Sequence, residues 1–339
     1  MSDISSANPA VSSAPLGGPV TMARALNEGL RQAMEDDPKV VIMGEDVGRL
    51  GGVFRITDGL QKDFGEDRVI DTPLAESAII GTAVGLALRG YRPVCEIQFD
   101  GFVFPGFDQI VSQVAKIHNR AAGLVRMPIT IRIPFGGGIG AIEHHSESPE
   151  TYFAHTPGLR VVSCSSPSDA YWMIQEAIAS DDPVVFFEPK RQYHAAKLPI
   201  EPAGTPLDQA RVVRPGRDVT VVAYGPTVAT ALTAAETLKV DGVEAEVIDL
   251  RSMSPLDMPT LLDSVRRTGR MVIVHEAPQS FGIGSEIAAR VTEQAFYSLE
   301  APVLRVTGFD TPYPPSRLEH DWLPNLDRLL DAVDRIMEF

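Results

Sequence analysis

Short runs of consecutive apolar residues alternate along this chain with longer stretches whose apolar residues recur at helical spacing. The run KVVIMGED is four apolar residues closed by Gly44, Glu45 and Asp46, the pattern of a strand buried on both faces. Before it, Met22, Ala25, Leu26, Leu30 and Met34 fall on one face of a helix from Thr21 to Met34. After a loop-like RLGGVFRITDGL and a helical Asp58–Phe64 comes VIDTPLAESAIIGTAVGLALRGYRPVCEIQFDGF, which reads as a strand, a helix and a second strand. Thr72 and Pro73 supply an N-cap and a proline at the first helical position. From Ser77 to Leu88 every residue is apolar or small, so protein is expected on both sides of this helix, with Gly81 and Gly85 forming a bare strip for close packing.

The alternation continues. Ile110, Val111, Val114 and Ile117 predict a helix over Asp108–Asn119, and MPITIRIP a strand. A glycine-rich loop, PFGGGIGAIEHHSESPE, precedes the strand LRVVSCSS, a helix over Ser168–Ser180 and the strand PVVFFEPK. Residues 196–217 break the pattern with Pro199, Pro202, Pro206 and Pro215 and read as a linker. Beyond it DVTVVAYG, EAEVIDL, RMVIVHEA and APVLRVTGFD are strands, interleaved with helices over Thr227–Leu238, Met258–Arg267, Ser285–Leu299 and Asn325–Met337, with a turn at Pro255. Strand–helix alternation in two blocks predicts two parallel-sheet α/β domains, residues 20–195 and 218–339, behind a disordered tail, residues 1–19.

Charge and composition narrow the class. A formal net charge of -15 without Lys/Arg clusters excludes non-specific nucleic-acid binding. No apolar run reaches membrane-spanning length, and the first eighteen residues carry neither a secretory signal nor an Arg-rich transit peptide. Two cysteines, Cys95 and Cys164, lie in strand-like runs, which suits a reducing compartment and an expected cytoplasmic location.

Three constellations could carry chemistry. The loop from Gly136 to Ala141 formally matches G-x-G-x-x-A after a strand, but polar residues and Pro149 follow where a dinucleotide site needs a helix. Its glycines read better as a loop that lets a ligand approach backbone. Within it His144 and His145 fit a solvated loop or a substrate-facing acid or base; adjacent histidines point apart, and the spacing lacks any H-E-x-x-H. Phe99, Phe102, Phe104 and Phe107 fit core packing or the wall of a pocket for a flat heterocycle. Glu76 is either an acid favoured by the helix dipole or a functional carboxylate at the mouth of an apolar helix.

Taken together, DTPLAESAIIGTAVGLALRGYRPVCEIQFDGFVFPGFDQIVSQVAK, HHSESPETYFAHTPGLRVV, PVVFFEPK, VIDLRSMSPLD and VIVHEAPQSFGIGSEIA resemble the β subunit of the thiamine-diphosphate-dependent decarboxylase component of 2-oxo acid dehydrogenase complexes. The likeness runs from about Val20 to the C-terminus and is closest to the branched-chain (2-oxoisovalerate) type, with a pyruvate or acetoin type as the alternative. It implies a pyrimidine-binding domain followed by a transketolase-like C-terminal domain. By the D-T-P-x-x-E context it implies that Glu76 shares a proton with the cofactor's aminopyrimidine, a task favoured by an apolar site. It puts Phe102 against that ring, where relatives often carry Tyr, and makes His145 the active-site histidine of 2-oxo acid handling or acyl transfer to lipoamide. A structural potassium ion would take Ile129, Thr130, Ala177, Ser180 and Asp182.

Thiamine enzymes hold the diphosphate and Mg²⁺ through a G-D-G motif with a later Asn. Asp58-Gly59, Asp100-Gly101 and Asp241-Gly242 each lack the leading glycine. The resemblance therefore implies an active site shared with an α subunit in a heterotetramer of two α and two β chains, docked on a lipoyl acyltransferase core. A non-catalytic assembly subunit is the rival of another class, and the presence of Glu76 speaks against it.

Overall fold

In the computed structural model, residues 17–339 are described, so the tail expected over residues 1–19 lies largely outside the described residues. Among the described residues, twelve strands form two sheets. β1 (Val40–Gly44), β2 (Val69–Asp71), β3 (Arg92–Glu96), β4 (Thr130–Phe135), β5 (Arg160–Ser163) and β6 (Val184–Pro189) come from the N-terminal half. β7 (Arg211–Arg214), β8 (Val219–Ala223), β9 (Ala245–Asp249), β10 (Ser252–Ser254), β11 (Met271–Pro278) and β12 (Leu304–Gly308) follow. The first sheet runs β10-β5-β6-β4-β3-β1-β2 and the second β12-β11-β8-β9-β7. Pairing is parallel except at two edges, where β10 lies antiparallel to β5 and β7 antiparallel to β9. The expected two α/β domains are present.

The interior strands are buried along their whole length because helices cover both faces, which is why they read as unbroken apolar runs. The helix Met22–Asp36, capped by Thr21, packs against Pro167–Ala179, which Ser166 caps. One apolar cluster runs from Met43 and Ile80 through Ile131 and Phe187 to Val222 and Ile273, so the two domains share a core.

Five expectations are corrected. Thr72 does not cap a helix: its N–H donates to the Gly44 carbonyl, the chain is still crossing the end of β1, and the helix spans Glu76–Leu88. That helix is covered on one side only, leaving Ser77, Ala78, Gly81, Thr82, Gly85 and Leu88 exposed. Asp108–Asn119 is not one α-helix but a π-helical turn, Gln109–Val114, followed by Ile117–Arg120. The stretch around Pro255 is more than a turn, since β10 reaches back to extend the N-terminal sheet. Within the stretch read as linker, Arg211–Arg214 is an edge strand of the second sheet, and Ile200 and Leu207 are buried in the N-terminal domain.

Candidate active site

Glu76 stands at the first position of its helix and is 6 % exposed. No described residue hydrogen-bonds its carboxylate. Immediately after β1, Glu45 is also buried, with Oε1 unpartnered, and burial followed by the nearby Glu76 charge pushes its pKa up. The sequence reading gave Glu45 no role. The signal that could have found it is its position outside the carboxyl end of a parallel strand, where α/β sheets gather ligands.

Next to the helix start lies a tight 3-10 turn, Asp100–Gly106, so close that a Cβ on Gly106 would stand 3.2 Å from the Glu76 carbonyl. Phe102 is half-buried in this turn. The turn is pinned from beneath by Asp100, which is fully buried, ion-paired with Lys190, and accepts the Glu147 N–H at 2.8 Å. Burial, only partly offset by Lys190, pushes Asp100 up to about 6.

The second hydrogen bond of Asp100 ties the turn to the histidine loop. His145 stacks on Phe99 with centroids 4.0 Å apart and meets Phe102 edge-on at 5.1 Å. Its Nδ1 lies 2.9 Å from the His144 carbonyl, which can only accept, so Nδ1 carries a proton and Nε2 is the ring nitrogen left to exchange one. The two histidines do not point fully apart: His144 is also 6.2 Å from the Phe102 ring and 4.4 Å from His145. The four phenylalanines do not form one wall. Phe99 and Phe102 face the histidines, whereas Phe104 and Phe107 pack on Tyr152.

The glycine loop opens no long helix; only the turn Glu143–His145 follows it. Gly136, Gly138 and Gly140 have positive φ, which turns successive amides inward as an anion nest. The nest is filled by the C-terminal domain. Glu276 accepts from Gly137 N–H at 2.9 Å, and Glu319 accepts from Gly138 and Gly140 N–H at 2.8 and 3.1 Å. Amides that a dinucleotide would use are thus already taken.

The residues matched to a potassium site gather at one rim of the first sheet, where Thr130 pairs with Val184 and the connection carrying Ser180 and Asp182 leads into β6. The carbonyl of Ile129 accepts from Val184 N–H, that of Ala177 from Ser180 N–H, that of Ser180 from Arg92, and that of Asp182 from Ser180 Oγ. Each keeps a second lone pair. Across the domain junction Glu150, fully buried, accepts from Tyr224 Oη at 2.5 Å, and burial pushes its pKa up to about 8.

Comparison with known proteins places this arrangement. Residues 18–195 match the transketolase pyrimidine-binding domain and residues 208–329 the transketolase C-terminal domain. Over 319 residues the chain is 60 % identical to a pyruvate dehydrogenase E1 component subunit beta from Leifsonia xyli, covering 94 % of this chain and 95 % of that one. It is 57 % identical over 320 residues to a 3-methyl-2-oxobutanoate dehydrogenase subunit beta from Mycobacterium tuberculosis, covering 94 % and 92 %. Among solved structures, a split-gene transketolase described as an inactive β4 tetramer shares the fold, with a TM-score of 0.79 at 23 % identity over 95 % of this chain and 99 % of that one. The chain belongs to the family of 2-oxo acid dehydrogenase E1 β subunits, built on transketolase pyrimidine-binding and C-terminal domains.

Proposed function

We propose that this chain is the β half of a thiamine-diphosphate-dependent E1 component that decarboxylates branched-chain 2-oxo acids and passes the acyl group to lipoamide. The observation that carries the reading is Glu76: a buried carboxylate without a hydrogen-bond partner among the described residues, beside a turn that presents Phe102. These residues fit an aminopyrimidine, with the carboxylate holding a proton at the ring nitrogen and the phenyl face excluding water. Bound thiamine diphosphate supplies a nucleophilic carbon and an electron sink for decarboxylation. His145, through Nε2, handles a proton during the acyl steps. The diphosphate and Mg²⁺ fall to an α subunit in an α2β2 assembly, and the exposed face at Gly81 and Gly85 packs on that assembly. A potassium ion takes the second lone pairs of Ile129, Ala177, Ser180 and Asp182 together with Thr130. Lipoyl acyltransferase is the downstream partner.

Phe99 and Phe102 form an apolar wall at His145, and each buried methylene of a branched substrate gains about 0.8 kcal/mol against such a wall. The second reading is a pyruvate substrate, favoured by the 60 % identical relative. Buried, unpaired Cys95 and Cys164 suit a cytoplasmic setting, and among the described residues no helix is long and apolar enough to cross a membrane.

The test is decarboxylation of 3-methyl-2-oxobutanoate and of pyruvate by the chain alone and co-expressed with its α partner, with cofactor, Mg²⁺ and an artificial electron acceptor. Activity only in the complex, with the branched substrate preferred, is expected. A preference for pyruvate overturns the substrate assignment, activity of the lone chain overturns the shared site, and an inactive well-formed complex points to an assembly subunit. Glu76→Gln should remove most turnover, and His145→Ala should impair lipoamide acylation while sparing cofactor binding.

A further inference from the structure

We infer that Glu319, supported by Glu276, is a positioning residue: the C-terminal domain sets the geometry of the histidine loop by holding its glycine amides on two carboxylates. The inference rests on the proposed role of His145 for its functional consequence, but not for its structural content.

The arrangement is specific. Glu319 opens the short helix Glu319–Trp322, is 9 % exposed, and is the only described residue that bridges two amides of the loop with its two oxygens. Its Oε1 also accepts from Tyr313 Oη at 2.6 Å. Tyr313 in turn packs on Trp322 with centroids 4.8 Å apart, and Leu323 completes the cluster, so the carboxylate is carried by a packed platform. The loop is cut to fit this platform. A Cβ on Gly137 would lie 2.0 Å from Tyr313 Oη, and one on Gly136 would lie 2.8 Å from Glu276 Oε2. Glu276 pairs through Oε1 with Arg191, whose guanidinium also donates to the Pro226 carbonyl, so the second carboxylate is itself held in place.

Four residues separate Gly140 from His145, and the loop is closed by Gly136 N–H donating to the Glu147 carbonyl at 3.0 Å. The histidines therefore sit on a closed loop held by two inter-domain carboxylates on one side and by Phe99 on the other. A loop freed from Glu319 loses its two charge-assisted amide bonds, and the His145 ring loses a fixed distance to any substrate. Misplacement by about 1 Å is enough to cost roughly 100-fold in a positioned reaction.

The experiment compares α2β2 complexes carrying wild-type chain, Glu319→Ala, Glu319→Gln and His145→Ala. Amide hydrogen exchange is followed over residues 136–147, alongside acylation of a lipoyl domain and decarboxylation with an artificial acceptor. Glu319→Ala should speed exchange in this loop at least tenfold and lower lipoyl acylation tenfold or more, with decarboxylation changed less. Glu319→Gln keeps one acceptor but turns an NH2 toward the second amide, so it should be intermediate, and it serves if the alanine variant does not assemble. Unchanged exchange in whichever variant assembles overturns the clamp. Faster exchange with unchanged acylation overturns the positioning role. Unchanged acylation in His145→Ala overturns the histidine assignment instead, while the exchange result still decides the clamp.

Discussion

Gly101→Ala places a single methyl group between the two halves of the candidate site. The Cβ would lie 2.3 Å from the His144 carbonyl oxygen and 2.8 Å from the His144 Cβ, where ordinary contact begins at 3.4 Å. Gly101 has no positive φ, so alanine suits its backbone and the whole effect is steric. Neither neighbour can yield easily. Asp100, the preceding residue, is fixed by Lys190 and by the Glu147 amide, and the histidine loop is fixed by Glu276 and Glu319. Relief of the clash needs the His144 backbone to withdraw by roughly 1 Å, a displacement that can lower a positioned step by up to about 100-fold. The stability cost of the added methyl is ~1–3 kcal/mol, which leaves the fold intact. The assay is lipoyl-domain acylation by the α2β2 complex, with thermal unfolding as control. Acylation within twofold of wild type would refute the argument that the turn and the histidine loop form one rigid unit.

Gly81→Ala and Gly85→Ala test the opposite situation, because nothing lies within 4 Å of a Cβ at either position. Each should stabilise the isolated chain by about 0.5–1 kcal/mol through helix propensity, read by thermal unfolding, while weakening α2β2 assembly measured by native mass spectrometry. Glu150 titrates near 4.5 unfolded and about 8 folded, so its contribution is present at low pH and lost as pH rises toward 8. Glu150→Gln stays neutral, so its stability relative to wild type should rise between pH 6 and pH 8, by up to about 1.4 kcal/mol per pH unit, in paired melts. Lys190→Met leaves Asp100 buried and unpaired and should cost ~3–5 kcal/mol at pH 8. Part of that loss should return at pH 5, where the Asp100 carboxyl, already pushed up to about 6, takes up a proton.

The fold was largely legible because buried parallel strands declare themselves as short apolar runs, as in Val40–Gly44 and Val184–Pro189. What escaped notice depends on partners remote in sequence. Ser252–Ser254 carries no strand pattern of its own and becomes a strand only because Val161 and Val162 offer an open edge. Thr72 and Pro73 have the chemistry of a helix start, but the Thr72 N–H is committed to Gly44. Ile110 and Val114 share a face in a π turn as they would in an α-helix, so their spacing does not distinguish the two. Glu76, Phe102 and His145 were singled out through family resemblance, and local patterns alone left each with an ordinary alternative. The carboxylates that fill the glycine nest come from Glu276 and Glu319, more than a hundred residues downstream, and no local pattern announces them.

Glycine shows most clearly how the site divides between what this chain completes and what it leaves open. At Gly101, Gly137 and Gly138 the missing side chain makes room for His144, Tyr313 and Arg191 of the same chain, and these contacts close the inner side of the histidine loop. At Gly81 and Gly85 the missing side chain makes room for nothing among the described residues, although both lie on the helix that Glu76 opens. The same face exposes Ser77, Ala78, Thr82 and Leu88, a surface with little polarity and no bulky charge to keep a neighbour away. A helix with alanine at those two glycines would be more stable alone by about 1 kcal/mol per position, so the glycines are a cost to the isolated chain. That cost is offset only where another backbone comes close, so in the proposed assembly the exposed face of the helix carrying Glu76 is the expected contact with the α subunit, and the two alanine variants test it.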